Sequence, residues 1–225
     1  PLGFDKHSFN VINKNYHTDN RIVFNLSGKF EFRKHHAKIL KAWAKKYGND
    51  KRYALQCAVF NPFLSDQLNN QTISNALDNE RYFNITFLPI MQTNETYNDY
   101  LNSCNIVIGM SGGEGWGLPE FQSVALGKHA VIMDAHGYKG WANRENSVLV
   151  GSTGMVDCID GIFFKKGESQ NQGKIFDFDE DDFISGCEEA IKRYQANPVN
   201  ESGLRLADDF SYEKCYDNIL NILNE

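Results

Sequence analysis

Short runs of apolar residues alternate along the chain with longer stretches in which apolar positions recur every three or four residues, the pattern of buried strands separated by amphipathic helices. Ile22 to Leu26 reads as a first strand. From about Lys34 to Tyr47 the spacing predicts a helix with Ile39, Leu40, Trp43 and Tyr47 on one face and Gly48 at its end. Tyr53 to Val59 forms the next strand, broken by Asn61-Pro62. Ser65 caps a helix reaching about Asp78, Ile85 to Leu88 is a third strand, and Thr93 caps a helix carrying Tyr97, Tyr100 and Leu101. Ile106 to Met110 and Ala130 to Met133 are continuous apolar runs, as expected of parallel strands covered on both faces. Ser147 to Val150 makes a short sixth strand, whereas residues 151–178 carry glycines and no clear period. Phe183, Cys187, Ala190, Ile191 and Tyr194 then line a helix from about Glu180 to Gln195. Asn200 and Ser211 cap closing helices over residues 200–225, the last expected to bury Cys215, Ile219 and Leu223.

This order predicts an α/β fold: a Rossmann-like, doubly wound parallel sheet of about six strands with helices on both faces. Residues 1–225 are expected to form a single domain, with residues 1–20 as the linker that enters it. Such sheets bind ligands beyond the carboxyl ends of their strands, where the strand order reverses. Two glycine-bearing loops leave that edge, one at Ser27-Gly28-Lys29-Phe30 and one at Ser111 to Gly117, and they should face one cleft.

The second loop holds four glycines, so its backbone turns sharply and approaches a ligand without a β-carbon in the way. Pro119 suits the first turn of the following helix, and Gly127 marks its end. The loop N–H groups and the helix N-terminus converge on one point, suited to a phosphate. Glu114 would repel a phosphate at contact and so is expected to reach past it to hydroxyl groups.

Ser111-Gly112-Gly113-Glu114-Gly115-Trp116-Gly117-Leu118-Pro119, with Gly127 and the strand Ala130 to Asp134, resembles the donor-binding motif of the retaining glycosyltransferases of family 4, whose fold is GT-B. The resemblance implies one half of a GT-B fold, the donor-binding half, and extends to Pro1-Leu2-Gly3-Phe4-Asp5, similar to the segment by which the chain enters that domain. It implies that Lys29 and Lys34, with the backbone of Gly115, Trp116, Gly117 and Leu118, hold the donor diphosphate. Lys29 stands where the family carries an Arg and lacks its bidentate fork. Glu114 is implied as the catalytic-site carboxylate that orients the sugar. Gln122 meets the ribose, standing where the family has a second Glu and binding a diol through its amide without a negative charge. Base recognition is implied near the Phe87-Leu88-Pro89 strand end. Trp116 is expected to wall the sugar pocket.

Charge sharpens this picture. The chain carries a net −6, yet residues 1–52 hold 12 Lys and Arg against 4 Asp and Glu. Helix solvation accounts for Lys38, Lys41, Lys45 and Lys46, while anion binding is the sharper reading of Lys29, Arg33 and Lys34. No run approaches 18 apolar residues, and the five scattered cysteines lack C-x-x-C spacing. A cytoplasmic protein with reduced, mostly buried thiols is expected.

Other constellations weigh less. Glu114 and Glu120 as the acid and base of a glycosidase would both come from one loop and helix start, where Glu120 simply complements the helix dipole. Asp177-Phe178-Asp179 matches a metal-binding D-x-D but opens an acidic helix start, and His35-His36 point apart on a helix. The expected function is transfer of a sugar from a nucleotide-diphosphate sugar to a hydroxyl acceptor, with retention. It uses no metal or other cofactor and involves no nucleic acid. The acceptor, a glycan, lipid or protein, sits on an N-terminal domain outside this sequence, through which any peripheral membrane contact would run. Alternatives are a non-catalytic nucleotide-sugar-binding module, one half of a split transferase, or a nucleotide-sugar epimerase.

Overall fold

The computed structural model describes residues 2–17, 19–161, 164–170 and 173–224. Pro1, with which the linker resemblance begins, lies outside them. Six parallel strands, β1 (Ile22–Ser27), β2 (Tyr53–Ala58), β3 (Ile85–Phe87), β4 (Ile106–Gly109), β5 (His129–Met133) and β6 (Val148–Val150), form one sheet in the order β3-β2-β1-β4-β5-β6. The α/β doubly wound reading therefore holds. β1 pairs with both β2 and β4, so the order reverses at the β1–β4 boundary.

Helices α1 (His36–Tyr47), α2 (Asp66–Ala76) and α5 (Glu180–Ala196) form one layer, α1 packing on both others. Helices α3 (Asn94–Asn102) and α4 (Leu118–Ala125) pack together, and the short α6 (Glu201–Leu204) and α7 (Leu206–Asp209) lie on α4. Val107, Ile108, Val131 and Ile132 are almost wholly buried between the layers, as their unbroken apolar runs require. Ile39, Leu40, Trp43 and Tyr47 are buried too, with the Trp43 ring edge-on to Phe24 of β1 at 5.9 Å.

The capping residues act as read. Ser65, Thr93, Asn200 and Ser211 each accept a backbone N–H at their helix starts. Gly127, at φ 81°, follows α4, and the N–H groups of Gly127 and Lys128 bond back to Val124 and Ser123, the Schellman arrangement.

Four expectations need correction. The helix expected from Lys34 begins at His36, because Phe32–Lys34 form a 3-10 turn and His35 stands left-handed at φ 56°. Residues 151–178 contain an antiparallel pair, β7 (Gly154–Asp157) and β8 (Lys174–Asp177), so Asp177 ends a strand and pairs with Lys38 at 2.8 Å, leaving Asp179 to cap α5. The last helix, α8 (Tyr212–Leu223), buries Cys215, but Ile219 is 49% and Leu223 75% exposed, since no element among the described residues covers that face. Residues 2–17 are irregular, as expected of a linker, yet they contribute to the core: Phe4 bridges to Ser211 and packs on Phe121, and Phe9 lies against Tyr97.

Candidate functional site

The loops after β1 and β4 meet at the strand-order reversal. Gly28 takes φ 105°, and Lys34 folds back over it: a β-carbon there would lie 3.1 Å from the Lys34 ammonium. Lys34 reaches across to pair with Glu114, and Arg33 bonds the same Glu114 oxygen at 3.1 Å and the Gly113 carbonyl. Arg33 also pairs with Glu31 at 3.1 Å, and Lys29 with Glu31 at 3.0 Å. Lys29, Lys34 and Glu114 are thus brought into one cleft with a residue given no specific role in the donor motif, Arg33. Arg33 and Lys34 lie in the turn that precedes α1, and Glu31 and Glu114 offset their charges beside the positive end of its dipole.

The glycine loop is braced from behind, which frees its front. Gly137 N donates to the Glu114 carbonyl at 3.1 Å, the Trp141 indole donates to the Trp116 carbonyl at 2.8 Å, and the His136 ring, through Nε2, donates to the Ser111 carbonyl at 2.7 Å. Strand β8 stitches the side: Phe176 N donates to the Gly112 carbonyl at 2.9 Å, and Gly112 N to the Arg33 carbonyl at 2.8 Å. His35 Nε2 donates to the Phe176 carbonyl, while His36 donates to Ser27, so the two histidines do point apart. Gly112 admits no side chain, since its β-carbon would meet Phe176 O at 2.5 Å, whereas Gly115 faces open space. The N–H groups of Gly115, Trp116, Gly117 and Leu118 have no acceptor among the described residues. They stand at the start of α4, where the helix dipole adds positive potential.

Electrostatics separate the two carboxyls. Burial alone would raise Glu114, but the charges of Lys34 and Arg33, with hydrogen bonds from Lys34 and Ser111, outweigh it and hold the group below its usual range. Glu120, wholly buried and without a cation partner, is pushed up to about 7 by burial.

Gln122 is buried, and its Oε1 accepts from the Tyr97 hydroxyl at 3.0 Å, which leaves its amide N–H groups to donate. Beside it lies a cavity of about 310 Å³ with an apolar lining that includes Gly28, Ala58, Phe60, Leu88, Ile90 and Pro119, with the ring of Tyr97. It sits at the ends of β1, β2 and β3, next to the Leu88-Pro89 segment singled out in the sequence. The Trp116 ring, expected to wall the sugar pocket, packs instead on Phe121 and Phe210 at 5.6 and 5.3 Å. Tyr97 and the residues behind the loop, His136 and Tyr138, carried no sequence signal beyond their places on a helix face and after a strand.

All five cysteines are free and buried, and no helix among the described residues is long and apolar enough to cross a membrane. No family profile and no curated protein matches the sequence. Solved structures do match the fold. Sucrose-phosphate synthase from Thermosynechococcus elongatus is 17% identical over the whole chain, with a TM-score of 0.66, and HepE from Anabaena, in complex with UDP and glucose, is 15% identical over 99% of it, with a TM-score of 0.67. This chain spans 51% and 55% of those two, or about half their length. The C-terminal domain of LpcC, a glycosyl transferase group 1 family protein from Francisella tularensis, matches 92% of this chain over 97% of its own length, at 15% identity and a TM-score of 0.63. The chain therefore has the fold of that domain.

Proposed function

We propose that this chain is the nucleotide-sugar-binding domain of a glycosyltransferase, resembling family 4, that acts with an acceptor-binding domain outside this sequence. The observation that carries the reading is the row of N–H groups of Gly115 to Leu118 that have no acceptor among the described residues, flanked by Lys34 and Arg33 at the strand-order reversal. In this reading the diphosphate lies on those N–H groups and draws Lys34 and Lys29 onto its oxygens. The base enters the apolar cavity, Gln122 and Tyr97 bond the ribose hydroxyls, and Glu114, released by Lys34, orients the sugar. The sugar passes to a hydroxyl acceptor with retained configuration, a donor phosphate oxygen taking the acceptor proton. No metal ion and no protein nucleophile is required. The fold shared with a group 1 transferase domain and the complex of HepE with UDP and glucose support this reading. The setting is cytoplasmic, in keeping with the free thiols.

A second reading, one half of a split transferase or a binding module working with a partner chain, is favoured by the uncovered apolar face of α8. Calorimetric titration with UDP, GDP, ADP and their sugar conjugates tests the first. One nucleotide binds selectively, and Lys34→Ala weakens it roughly ten- to a hundredfold, the worth of a charged hydrogen bond of about 1.5–3 kcal/mol. Binding that ignores Lys34→Ala sinks the assigned site. In the transferase completed by its acceptor domain, Glu114→Ala slows sugar transfer while nucleotide binding persists.

A further inference from the structure

Glu120 is the carboxyl group that the donor-site reading leaves without a role. It stands in the first turn of α4, 3% exposed, and among the described residues its Oε2 has no hydrogen-bond partner. The hydroxyl of Tyr138, in the turn after β5, is buried and likewise has no hydrogen-bond partner among the described residues. Both groups crowd the base of the glycine loop. A β-carbon on Gly117 would lie 3.0 Å from Glu120 Oε2 and 2.1 Å from the Tyr138 ring, and one on Gly109 would lie 2.8 Å from Glu120 Cγ and 3.3 Å from the Tyr138 oxygen. The groups acting on this spot are Lys34 from the segment before α1, Glu114 from the loop, Tyr97 from α3 and Tyr138 itself. Among the described residues no cation pairs with Glu120, since Lys34 is engaged with Glu114.

We propose that Glu120 is a positioning residue that holds a proton beneath the donor loop at neutral pH, and that a diphosphate bound on the loop makes it take up that proton more fully. The inference rests on the donor-site reading. Burial already pushes the Glu120 carboxyl up to about 7, with Lys34 opposing and Glu114 adding to the rise. When a diphosphate takes Lys34 as its counter-ion, that opposition weakens and new negative charge stands over the same helix start. Both changes favour the protonated form. The proton comes from solvent and ends on the carboxyl, with no other bond made or broken. Protonated, Glu120 is neutral and does not repel the ligand above it.

The test pairs carboxyl-carbon NMR with calorimetry. The Glu120 signal, assigned by its loss in Glu120→Gln, titrates near 7 in the free chain and moves upward when UDP-glucose binds. UDP-glucose suits the measurement because its diphosphate diester keeps a constant charge over this range. Its affinity falls about tenfold from about pH 6.5 to 8.5 for the wild type and stays flat for Glu120→Gln, the signature of one linked proton. Should that variant fail to fold, binding heats of the wild type in two buffers of different ionisation enthalpy report the same uptake. A Glu120 titration in the ordinary carboxyl range, about 4.3, overturns the proposal whether or not a nucleotide binds. A midpoint unmoved by bound nucleotide, or the same pH slope in Glu120→Gln, overturns the coupling. If UDP-, GDP- and ADP-sugars all fail to bind, the donor-site reading falls and the coupling with it, while the free-chain titration still decides whether Glu120 holds its proton.

Discussion

Two carboxyl groups six residues apart in the motif are driven in opposite directions, and their stability effects have opposite signs. Glu120 is a buried acid with no cation to offset its desolvation, so its folded-state value lies above the ordinary one of 4.5. The native chain then binds a proton that the unfolded chain has released, and stability is lost as pH rises between the two values. Wild type and Glu120→Gln are therefore expected to differ little at about pH 4, with the variant gaining up to about 3 kcal/mol by pH 7 and no more above it. Urea unfolding of both proteins at three pH values checks this, and a constant difference would show that Glu120 is not buried as an acid. Glu114, held low, behaves in reverse: its stabilising contribution is present above the ordinary value and fades as pH falls through its folded-state value. Gln122 yields a prediction of binding. Gln122→Ala removes one neutral hydrogen bond to the ribose and lowers nucleotide affinity about fivefold, or about 1 kcal/mol. Equal losses for ribo- and 2′-deoxyribonucleotides would place Gln122 away from the diol.

At the scale of elements, the loop and α4 depend on Gly117. It sits at φ 75° with the Tyr138 ring where a β-carbon would be, so Gly117→Ala is both strained and overpacked. A loss of roughly 2–4 kcal/mol is expected from thermal or denaturant unfolding, whereas Gly115→Ala, facing open space, costs less than about 1 kcal/mol. This contrast marks what was legible in the sequence. Gly127, Ser65, Thr93, Asn200 and Ser211 announced their helix ends because a cap is a local interaction between a side chain or a glycine and the adjacent backbone. The six strands were legible because burial on both faces demands unbroken apolar runs. The β7–β8 pair was not: Met155 and Val156 are exposed, and the contacts of β8 with Gly112 run through backbone groups, which leave no side-chain pattern. Nor was the left-handed His35, whose ring is tied to the Phe176 carbonyl far along the chain. Lys29, Lys34 and Glu114 were legible as a set, and the structure brings them together. The inward turn of Trp116 was not, since it depends on Phe210 near the other end of the chain.

For the molecule as a whole, the helix α8 is amphipathic in sequence, but among the described residues it has no neighbour over much of its apolar face. Tyr216, Ile219, Ile222 and Leu223 are each about half exposed or more. A continuous exposed apolar surface of this kind marks a contact site. The double change Ile219→Ser and Ile222→Ser should alter stability by no more than about 1 kcal/mol, because little burial is lost. It should also sharply reduce binding of an apolar fluorescent dye and, in the two-domain reading, weaken association with the acceptor domain. A large drop in melting temperature would show instead that the face is covered in the isolated chain.

The stitching of Arg33, Gly112 and Phe176 has a consequence for the order in which the chain matures. The three backbones belong to its first quarter, its middle and its last third, yet one short ladder fixes the cleft through all of them. Contacts so distant in sequence form late, since each must first overcome the entropy of closing a long loop. During synthesis all six strands of the main sheet leave the ribosome before Phe176, so the ladder that fixes the cleft closes after those strands are available to pair. In refolding, recovery of nucleotide binding should accordingly lag behind recovery of the buried Trp43 fluorescence.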